Sequence, residues 1–485
     1  MNEKNLCEFL NVKKFSVSSH SKTKNFKQMN VHFIAIGGSA MHNLAISLCK
    51  RGYLVTGSDD EIFEPSRSRL TKYNILPKEI GWNPDNITKD LDAVILGMHA
   101  RNDNPELKKA RELNLKIYSY PEYLYEQTKD KIRVVVGGSH GKTTITSMIM
   151  HVLQFHHKKF DYMVGAQIEG FETMVSLTYD APVAVFEGDE YLSSPIDPRP
   201  KFHLYKPHIA VISGIAWDHI NVFPTFDEYK KQFSRFIHLI EPKGALFYYQ
   251  KDDALNEIVN DCSNTIQKTP YNIHPYDIKN GQTYLISANK KIPIKIFGEH
   301  NLQNIHAAKL VCNQLSISDD KFYEAISHFK GASKRLELIA QNKSTSIFKD
   351  FAHSPSKLEA TINAVKNQFP EKKLIAIMEL HTFSSLSSGF LKEYNRTMNK
   401  ADIPVVFYNP EVIRHKKLEP IAKQEVVKSF ANNELRVFTK QEQMVNYIQS
   451  LDITNSCLLF MSSGNFSGLN IDAFAHELLE SSHQR

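Results

Sequence analysis

The residue types best suited to chemistry stand together at positions 137–144, a glycine-rich stretch that follows an apolar run. Backbone N–H groups freed by glycines can face an anion, and the N-terminus of a following helix attracts negative charge. Lys142 would add a mobile cation, and the hydroxyl of Thr143 can join the ligand shell of a magnesium ion. The pattern therefore predicts a phosphate loop that binds ATP through Gly138, Ser139, His140, Gly141, Lys142, Thr143 and Thr144.

Two later apolar runs end in residues that suit a metal and phosphate site. Residues 181–186 are followed at once by Glu187, and residues 209–214 are followed closely by His219. At the carboxyl ends of parallel strands beside a phosphate loop, a carboxylate is the kind of hard ligand that Mg²⁺ prefers. We therefore expect both side chains to meet Lys142 at one edge of a sheet.

A glycine pair near the start of the chain predicts a second site for a phosphate-bearing ligand. Gly37, Gly38 and Ser39 follow an apolar run at 31–36 and open a helical stretch that leads to a strand ending near Asp59. In such a βαβ unit the glycine backbone approaches a diphosphate, and an acid about 20 residues further on meets a ribose hydroxyl. Two nucleotide sites indicate that one nucleotide supplies energy and the other carries the substrate.

Composition limits the class of protein. Of 485 residues, 42% are apolar and 23% are charged, as in soluble globular proteins. This length suggests about three domains. The net charge of +6 comes from scattered lysines, which favours small anionic ligands over nucleic acid. Five widely spaced cysteines without a Cys-x-x-Cys pair indicate a reducing, cytoplasmic setting, and no apolar run reaches the roughly 18 residues of a membrane span.

The phosphate loop departs from the common P-loop, because Val136 stands where the first glycine of that motif would be. Its shorter form, Gly-Ser-x-Gly-Lys-Thr-Thr, resembles the ATP loop of the Mur ligases of peptidoglycan assembly and of the folylpolyglutamate synthases. The resemblance implies an α/β protein with a Rossmann-like N-terminal domain, a central P-loop-type ATPase domain with a mostly parallel sheet, and a Rossmann-like C-terminal domain. We place these three domains at residues 29–129, 130–332 and 333–485, after a flexible extension at 1–28.

The resemblance also implies roles for individual residues. Asp350 would lie by the ribose of ATP, and Arg335 would reach its phosphates. Phe233 stands where many Mur ligases carry a carbamylated lysine, so no carbamate is expected. The full set comprises Lys142, Glu187 and His219 for catalysis; Thr143, Glu187 and His219 for magnesium; His300, Asn301, Asn304, Arg335 and Asp350 as further ATP contacts; and Gly37, Gly38, Ser39 and Asp59 for UDP.

A long segment after Glu187 bears on the amino acceptor. Residues 189–207 contain Asp-Glu-Tyr and then Asp-x-Arg-x-Lys-Phe-x-x-Tyr-x-Pro. This segment resembles the Mur ligase branch that joins L-alanyl-γ-D-glutamyl-meso-diaminopimelate to UDP-N-acetylmuramate in peptidoglycan recycling, and residues 461–468 resemble the same branch. The alternative is the branch that adds L-alanine to the same UDP-sugar. Residues 379–382 and 463–466 are candidates for the pocket of the third peptide residue, diaminopimelate or lysine.

The implied reaction spends ATP to make an amide. The lactyl carboxylate first takes the γ-phosphoryl group of ATP, and the amine then attacks the resulting acyl phosphate. Two other interpretations stay open at this point. A nicotinamide-linked oxidoreductase built on residues 37–59 would leave the ATP loop without a purpose, whereas a P-loop ATPase that drives conformational change would hydrolyse ATP without any amino acceptor.

Overall fold

The computed structural model describes residues 28–217, 222–288, 290–331 and 336–482. These residues form two compact units, which fall within Met1–Ile273 plus Gln303–Ile326 and within His274–Leu302 plus Ser327–Arg485. Among the described residues, no helix combines the length and the apolar composition needed to cross a bilayer.

The first unit begins with a small parallel sheet in the strand order β2-β1-β3-β4. Its central strands are buried because helices cover a parallel sheet on both faces, and this requires continuous apolar runs such as that of β3. The last helix starts with a capping box between Ser119 and Glu122. The elements are β1 (Asn30–Ile34), α1 (Ser39–Lys50), β2 (Leu54–Ser58), α2 (Ser66–Lys72), β3 (Ala93–Leu96), α3 (Pro105–Glu112), β4 (Ile117–Ser119) and α4 (Tyr120–Thr128).

A seven-stranded sheet follows, in the order β13-β12-β11-β5-β8-β6-β7, and only β7 runs antiparallel to its neighbour. Strand β5, which leads into the phosphate loop, lies between β8 and β11. A separate antiparallel hairpin is made of β9 and β10. The elements are β5 (Ile132–Gly137), α5 (Lys142–Phe155), β6 (Phe160–Met163), β7 (Val175–Ser176), β8 (Val183–Glu187), β9 (Leu192–Ser194), β10 (Asp197–Pro200), β11 (Ile209–Ile212), α6 (Phe226–His238), β12 (Ala245–Tyr249), α7 (Asp253–Asn260) and β13 (Gln267–Tyr271).

The two sheets of the first unit are tied together through helix α1. The amide of Asn43 accepts a hydrogen bond of 2.9 Å from the backbone of Met174, and Ser47 accepts one of 2.8 Å from the backbone of Leu177. Both acceptors are buried on α1, so the segment around β7 packs directly against this helix. The described residues before 273 therefore form one compact body around two sheets.

The second unit contains an antiparallel three-stranded sheet and a six-stranded sheet in the order β17-β18-β22-β19-β20-β21, in which β17 alone is antiparallel. Helix α8 begins with residues assigned to this unit and continues with residues assigned to the first one. The elements are β14 (Tyr276–Lys279), β15 (Gln282–Ser287), β16 (Lys290–Ile294), α8 (Glu299–Gln314), α9 (Asp319–Ile326), β17 (Glu337–Gln341), β18 (Ser346–Asp350), α10 (Pro355–Gln368), β19 (Lys373–Glu379), α11 (Ser388–Leu391), β20 (Ile403–Phe407), α12 (Pro410–His415), α13 (Lys423–Phe430), β21 (Arg436–Phe438), α14 (Gln441–Ser450), β22 (Ser456–Met461) and α15 (Ile471–Ser482).

The predicted α/β class with mostly parallel sheets is confirmed, and two details differ from expectation. Strand β1 ends at Ile34 rather than at residue 36, because Ala35 has a positive φ of 67° that turns the chain out of the sheet. The antiparallel sheet was not expected, and it groups with the C-terminal residues: Gln368 bonds to Thr283 at 2.8 Å and to the Gly281 carbonyl at 2.6 Å. The domain boundaries at residues 129 and 332 stay predictions.

Candidate active site

The predicted phosphate loop lies between β5 and α5, and two of its glycines have backbone conformations that favour glycine. Gly138 has a φ of +121° and Gly141, which precedes the helix, has a φ of +79°. A Cβ atom at Gly138 would lie 2.3 Å from Ser213 Oγ, and one at Gly141 would lie 2.3 Å from Asn304 Oδ1. The loop is therefore tightly enclosed by β11 on one side and by α8 on the other, and its shape depends on both glycines.

The side chain of Lys142 folds back over this loop. Its Nζ donates to the Gly138 carbonyl at 2.8 Å and to Glu190 Oε2 at 2.7 Å. Burial alone would lower the pKa of Lys142, but the negative charges of Glu190 and Asp189 outweigh it and raise the pKa above its usual value. The lysine is thus held as a cation at the mouth of the loop, where a phosphate group would need one.

Glu187 is the last residue of β8 and faces the start of α5. It accepts a hydrogen bond of 2.9 Å from Thr143 Oγ1 and one of 2.7 Å from the backbone of Gly165. Burial raises the pKa of this carboxyl group, and the Gly165 hydrogen bond and the charge of Lys142 only partly oppose that rise. A cation beside Glu187 would relieve the cost of its burial.

The donor set around Glu187 fits a magnesium ion that is shared with a nucleotide. A buried carboxylate and a hydroxyl stand side by side, and Mg²⁺ is usually held by one or two carboxylates plus phosphate oxygens and water. Within the described ranges there is no group of three or more His, Cys, Asp or Glu side chains that could hold a metal by itself. One carboxylate and one hydroxyl leave ligand positions for phosphate oxygens and water, so this donor pair suits a metal that arrives with a triphosphate.

Three residues of this network had no predicted role. Gly165 binds Glu187, and a Cβ atom there would lie 2.7 Å from Glu187 Oε1. Glu190, which is fully buried, accepts from Lys142 and from the Tyr229 hydroxyl at 3.1 Å. The Tyr229 oxygen also lies 3.0 Å from Ser139 Oγ. In the sequence, Tyr229 is marked only by the helix start that precedes it. Gly165 has no local signal, because its partner Glu187 lies 22 residues further along the chain.

The remaining predicted loop residues contribute in different ways. Ser139 is almost fully buried, and its hydroxyl donates to the Ala216 carbonyl at 2.6 Å, so it braces the loop from inside. The His140 carbonyl accepts a bond from the Ser213 hydroxyl, and Thr144 is buried in the first turn of α5. Asn304 packs against Gly141.

Several predicted ATP contacts belong to the second unit or lie outside the described residues. His300 and Asn301 are at the start of α8, where the Asn301 amide donates to the Phe297 carbonyl at 2.9 Å. Asp350 ends β18 and accepts from Thr361 Oγ1 at 2.6 Å. Their roles stay predictions. His219 and Arg335 lie outside the described residues.

The predicted UDP loop has a carboxylate at its base. The backbone N–H of Gly37 donates to Asp59 Oδ2 at 2.6 Å, and Ser66 Oγ donates to the Gly37 carbonyl at 2.7 Å. Gly38 then precedes the first residue of α1, Ser39. Asp59 is only 4% exposed, and this burial raises its pKa to about 6. Its observed role is to hold the loop, and a ribose contact stays a prediction.

This raised pKa predicts a pH-dependent contribution to stability. Because the folded protein holds the Asp59 proton more tightly than the unfolded chain, the contribution is present below the ordinary value of 3.8 and is lost as the pH rises to about 6. We expect Asp59→Asn to remove this fall in the free energy of unfolding. Denaturant titrations of both proteins between pH 4 and pH 7 measure the difference. Equal pH slopes for the two proteins would contradict the prediction, and Asp103→Asn, at an exposed acid, is the control.

Two other predicted regions can be placed. Phe233 is fully buried on α6, with its ring centroid 5.3 Å from that of Phe202. In the second unit the two segments proposed for the peptide pocket do meet: buried Glu379 accepts from the Ser462 hydroxyl and, at 2.9 Å, from the backbone of Phe466.

Comparison with known proteins identifies the family. The Mur ligase family, catalytic domain, matches residues 30–131, the Mur ligase middle domain matches 136–312, and the Mur ligase glutamate ligase domain matches 334–464. The UDP-N-acetylmuramate–L-alanine ligase of Caldicellulosiruptor bescii is 33% identical over 393 residues, which cover 77% of this chain and 82% of that protein. This chain belongs to the Mur ligase family.

Further comparisons agree with this Mur ligase assignment. The UDP-N-acetylmuramate–L-alanine ligase of Sulfurihydrogenibium is 29% identical over 467 residues, which cover 94% of this chain and 99% of that protein. The crystal structure of the UDP-N-acetylmuramate–alanine ligase of Thermotoga maritima covers 94% of this chain and all of that one, with a TM-score of 0.66 and 20% identity. A murein peptide ligase from Psychrobacter arcticus covers 94% of this chain and 99% of its own, with a TM-score of 0.60 and 20% identity. These two structures show the shared fold.

Membership confirms the enzyme class predicted from the phosphate loop. Mur ligases are ATP-dependent amide ligases that form C–N bonds, and so is this chain. The nicotinamide oxidoreductase and the stand-alone ATPase are thereby excluded as descriptions of the protein. The substrates and the individual site residues are a separate question.

Proposed function

We propose that this Mur ligase joins the lactyl carboxylate of UDP-N-acetylmuramate to the amino group of L-alanine at the expense of ATP. The observation that carries the proposal is the convergence of Lys142, Thr143 and Glu187 where β5 and β8 end. In the proposed first step a carboxylate oxygen attacks the γ-phosphorus of ATP, the bond to the β–γ bridging oxygen breaks, and ADP leaves. The amine then attacks the acyl phosphate, and phosphate and a proton are released.

The described residues have distinct proposed roles in this sequence. The backbone of the loop around Gly138 and Gly141 would bind the ATP phosphates, and Lys142 would leave Glu190 to neutralise the transferring phosphoryl group. Thr143 and Glu187 would hold a magnesium ion, which when bound offsets phosphate charge. We keep His219 as a proposed catalytic and magnesium-binding residue. The proposed ATP contacts also include His300, Asn301, Asn304, Arg335 and Asp350, and the proposed UDP site comprises Gly37, Gly38, Ser39 and Asp59.

Two amino acceptors have support. The relatives from Caldicellulosiruptor and Sulfurihydrogenibium are named L-alanine ligases, which favours free L-alanine over the tripeptide expected from the sequence. The tripeptide remains a second candidate because residues 189–207 resemble the peptide-adding branch. Both acceptors present the amine of an L-alanine residue, so the activation chemistry is the same for either.

An acceptor assay tests the proposal. Purified protein with ATP, Mg²⁺ and UDP-N-acetylmuramate is supplied with L-alanine or with L-alanyl-γ-D-glutamyl-meso-diaminopimelate, and phosphate release is followed. We expect kcat/KM for L-alanine to exceed that for the tripeptide by about tenfold or more, which corresponds to about 1.4 kcal/mol of transition-state discrimination. The reverse preference would support the second candidate. The control is UDP-N-acetylglucosamine, which lacks the lactyl carboxylate. Turnover with this control nucleotide, or no turnover of UDP-N-acetylmuramate with either acceptor, would overturn the proposed acyl substrate.

A further inference from the structure

Lys201 is a second cation beside the acidic end of β8. Its side chain is only 13% exposed, and its Nζ lies 2.5 Å from Asp189 Oδ2. Asp189 follows Glu187 by two residues. Nothing in the proposed mechanism so far uses Lys201, although a nearly buried lysine at this place has to be compensated by its surroundings.

The backbone around Lys201 is fixed onto the same strand end. The Lys201 N–H donates to the Tyr191 carbonyl at 2.9 Å, and the Phe202 N–H donates to the Asp189 carbonyl at 3.1 Å. Asp189 is itself held, since its Oδ1 accepts from the Tyr191 N–H at 3.2 Å. Phe202 is fully buried and would lie 3.2 Å from a Cβ atom at Gly188. Lys201 is therefore a rigidly placed cation, and rigid placement is what binding of a charged substrate group requires.

Aromatic rings complete the surroundings of the ammonium group. Lys201 Nζ lies 5.4 Å from the ring centroid of Tyr191 and 6.0 Å from that of Tyr120. Tyr120 is the first residue of α4, which belongs to the segment with the proposed UDP loop. Lys201 thus lies between α4, in the segment that carries the proposed UDP loop, and the acidic end of β8.

The charge balance shows why a second cation is needed. Glu187, Asp189 and Glu190 bring three carboxylates to one short segment, and the reaction adds a triphosphate and a carboxylate substrate. Lys142 points into the phosphate loop, so its charge is directed at ATP. An ammonium group has three N–H donors, and within the described part of the chain the side-chain hydrogen bond of Lys201 goes to Asp189, which leaves donors that can bind a carboxylate.

We propose that Lys201 binds the carboxylate of the sugar-linked acid and keeps that contact in the acyl phosphate formed from it. This inference rests on the proposed function and names the residue that recognises its acyl substrate. Lys201 gives up no proton in the step: the carboxylate oxygen forms the new bond to phosphorus, and ADP takes the electron pair of the bond that breaks. Lys201 is a substrate-binding residue that also offsets negative charge on the acyl side.

A comparison of two sugar nucleotides isolates this contact. Binding of UDP-N-acetylmuramate and of UDP-N-acetylglucosamine, which differ by the lactyl group, is measured by calorimetry for the natural protein, Lys201→Met and Lys201→Arg. We expect Lys201→Met to weaken binding of the carboxylate-bearing nucleotide by about 10- to 100-fold, because hydrogen bonds to charged groups are lost. Binding of UDP-N-acetylglucosamine should change less than about twofold. Lys201→Arg should recover part of the loss, since arginine keeps the charge.

Lys206→Met is the matched control, because Lys206 is an exposed lysine five residues away whose ammonium group lies over the Tyr125 ring. Unchanged binding of a non-hydrolysable ATP analogue by Lys201→Met shows that the loop is intact, and Lys201→Gln replaces it if the methionine variant does not fold. Equal losses for both sugar nucleotides, or none for either, would overturn the role of Lys201. If the natural protein itself does not prefer the carboxylate-bearing nucleotide, the proposed acyl substrate is wrong, and the inference about Lys201 is overturned with it.

Discussion

Replacement of Lys142 by alanine is expected to abolish ligation, with kcat lowered by about 10³-fold or more. The substitution removes the ammonium group that lies over the phosphate loop, 2.8 Å from the Gly138 carbonyl. Binding of UDP-N-acetylmuramate should stay within about twofold, because the proposed UDP loop belongs to a separate sheet. Phosphate release measures the first effect, and calorimetry with the sugar nucleotide measures the second.

The controls for this experiment follow from the buried partner of Lys142. Loss of the lysine leaves the carboxylate of Glu190 with the Tyr229 hydroxyl but without its cation, so the single variant should also be less stable. The double variant Lys142→Ala with Glu190→Gln should regain stability, seen as a higher Tm, and should remain inactive. Lys206→Ala serves as the surface control. Full ligase activity in Lys142→Ala would show that the phosphates of ATP bind elsewhere.

Replacement of Glu187 by glutamine is expected to lower kcat by about 10²- to 10³-fold and to raise the magnesium concentration needed for half-maximal turnover by about tenfold. Glutamine keeps the size of the side chain and an oxygen that can accept from Gly165, but it removes the negative charge beside Thr143. The loss should therefore fall on metal-dependent steps. Nucleotide binding without magnesium should be nearly unchanged.

Magnesium titrations of turnover and of nucleotide binding test this prediction. Glu112→Gln is the matched control, since Glu112 is an exposed acid at the end of α3. The same magnesium dependence in Glu187→Gln and in the natural protein would exclude Glu187 as a metal ligand. A large loss of binding in the absence of metal would instead indicate that the variant deforms the loop.

Much of the fold could be predicted, because parallel sheets leave a strong pattern in sequence. Strands buried on both faces need apolar runs, as in β3, β11 and residues 134–136 of β5, and the sequence predicts these strands directly. The sequence pattern does not predict the antiparallel sheet of β14, β15 and β16. Its strands are only partly buried and mix polar or charged residues with apolar ones, so their pattern is weak.

The phosphate loop itself was determined by the sequence, since strand, glycines, lysine and helix start form one continuous segment and its shape depends on local backbone conformation. The sequence also placed an acid, Glu187, at the end of a neighbouring strand. Only the tertiary structure decided which groups meet: Lys142 with Glu190, Thr143 with Glu187, the Gly165 backbone with Glu187, and Lys201 with Asp189. The physical reason is that these contacts depend on strand order and on the path of the chain between strands, which packing of the whole unit determines and no local pattern encodes.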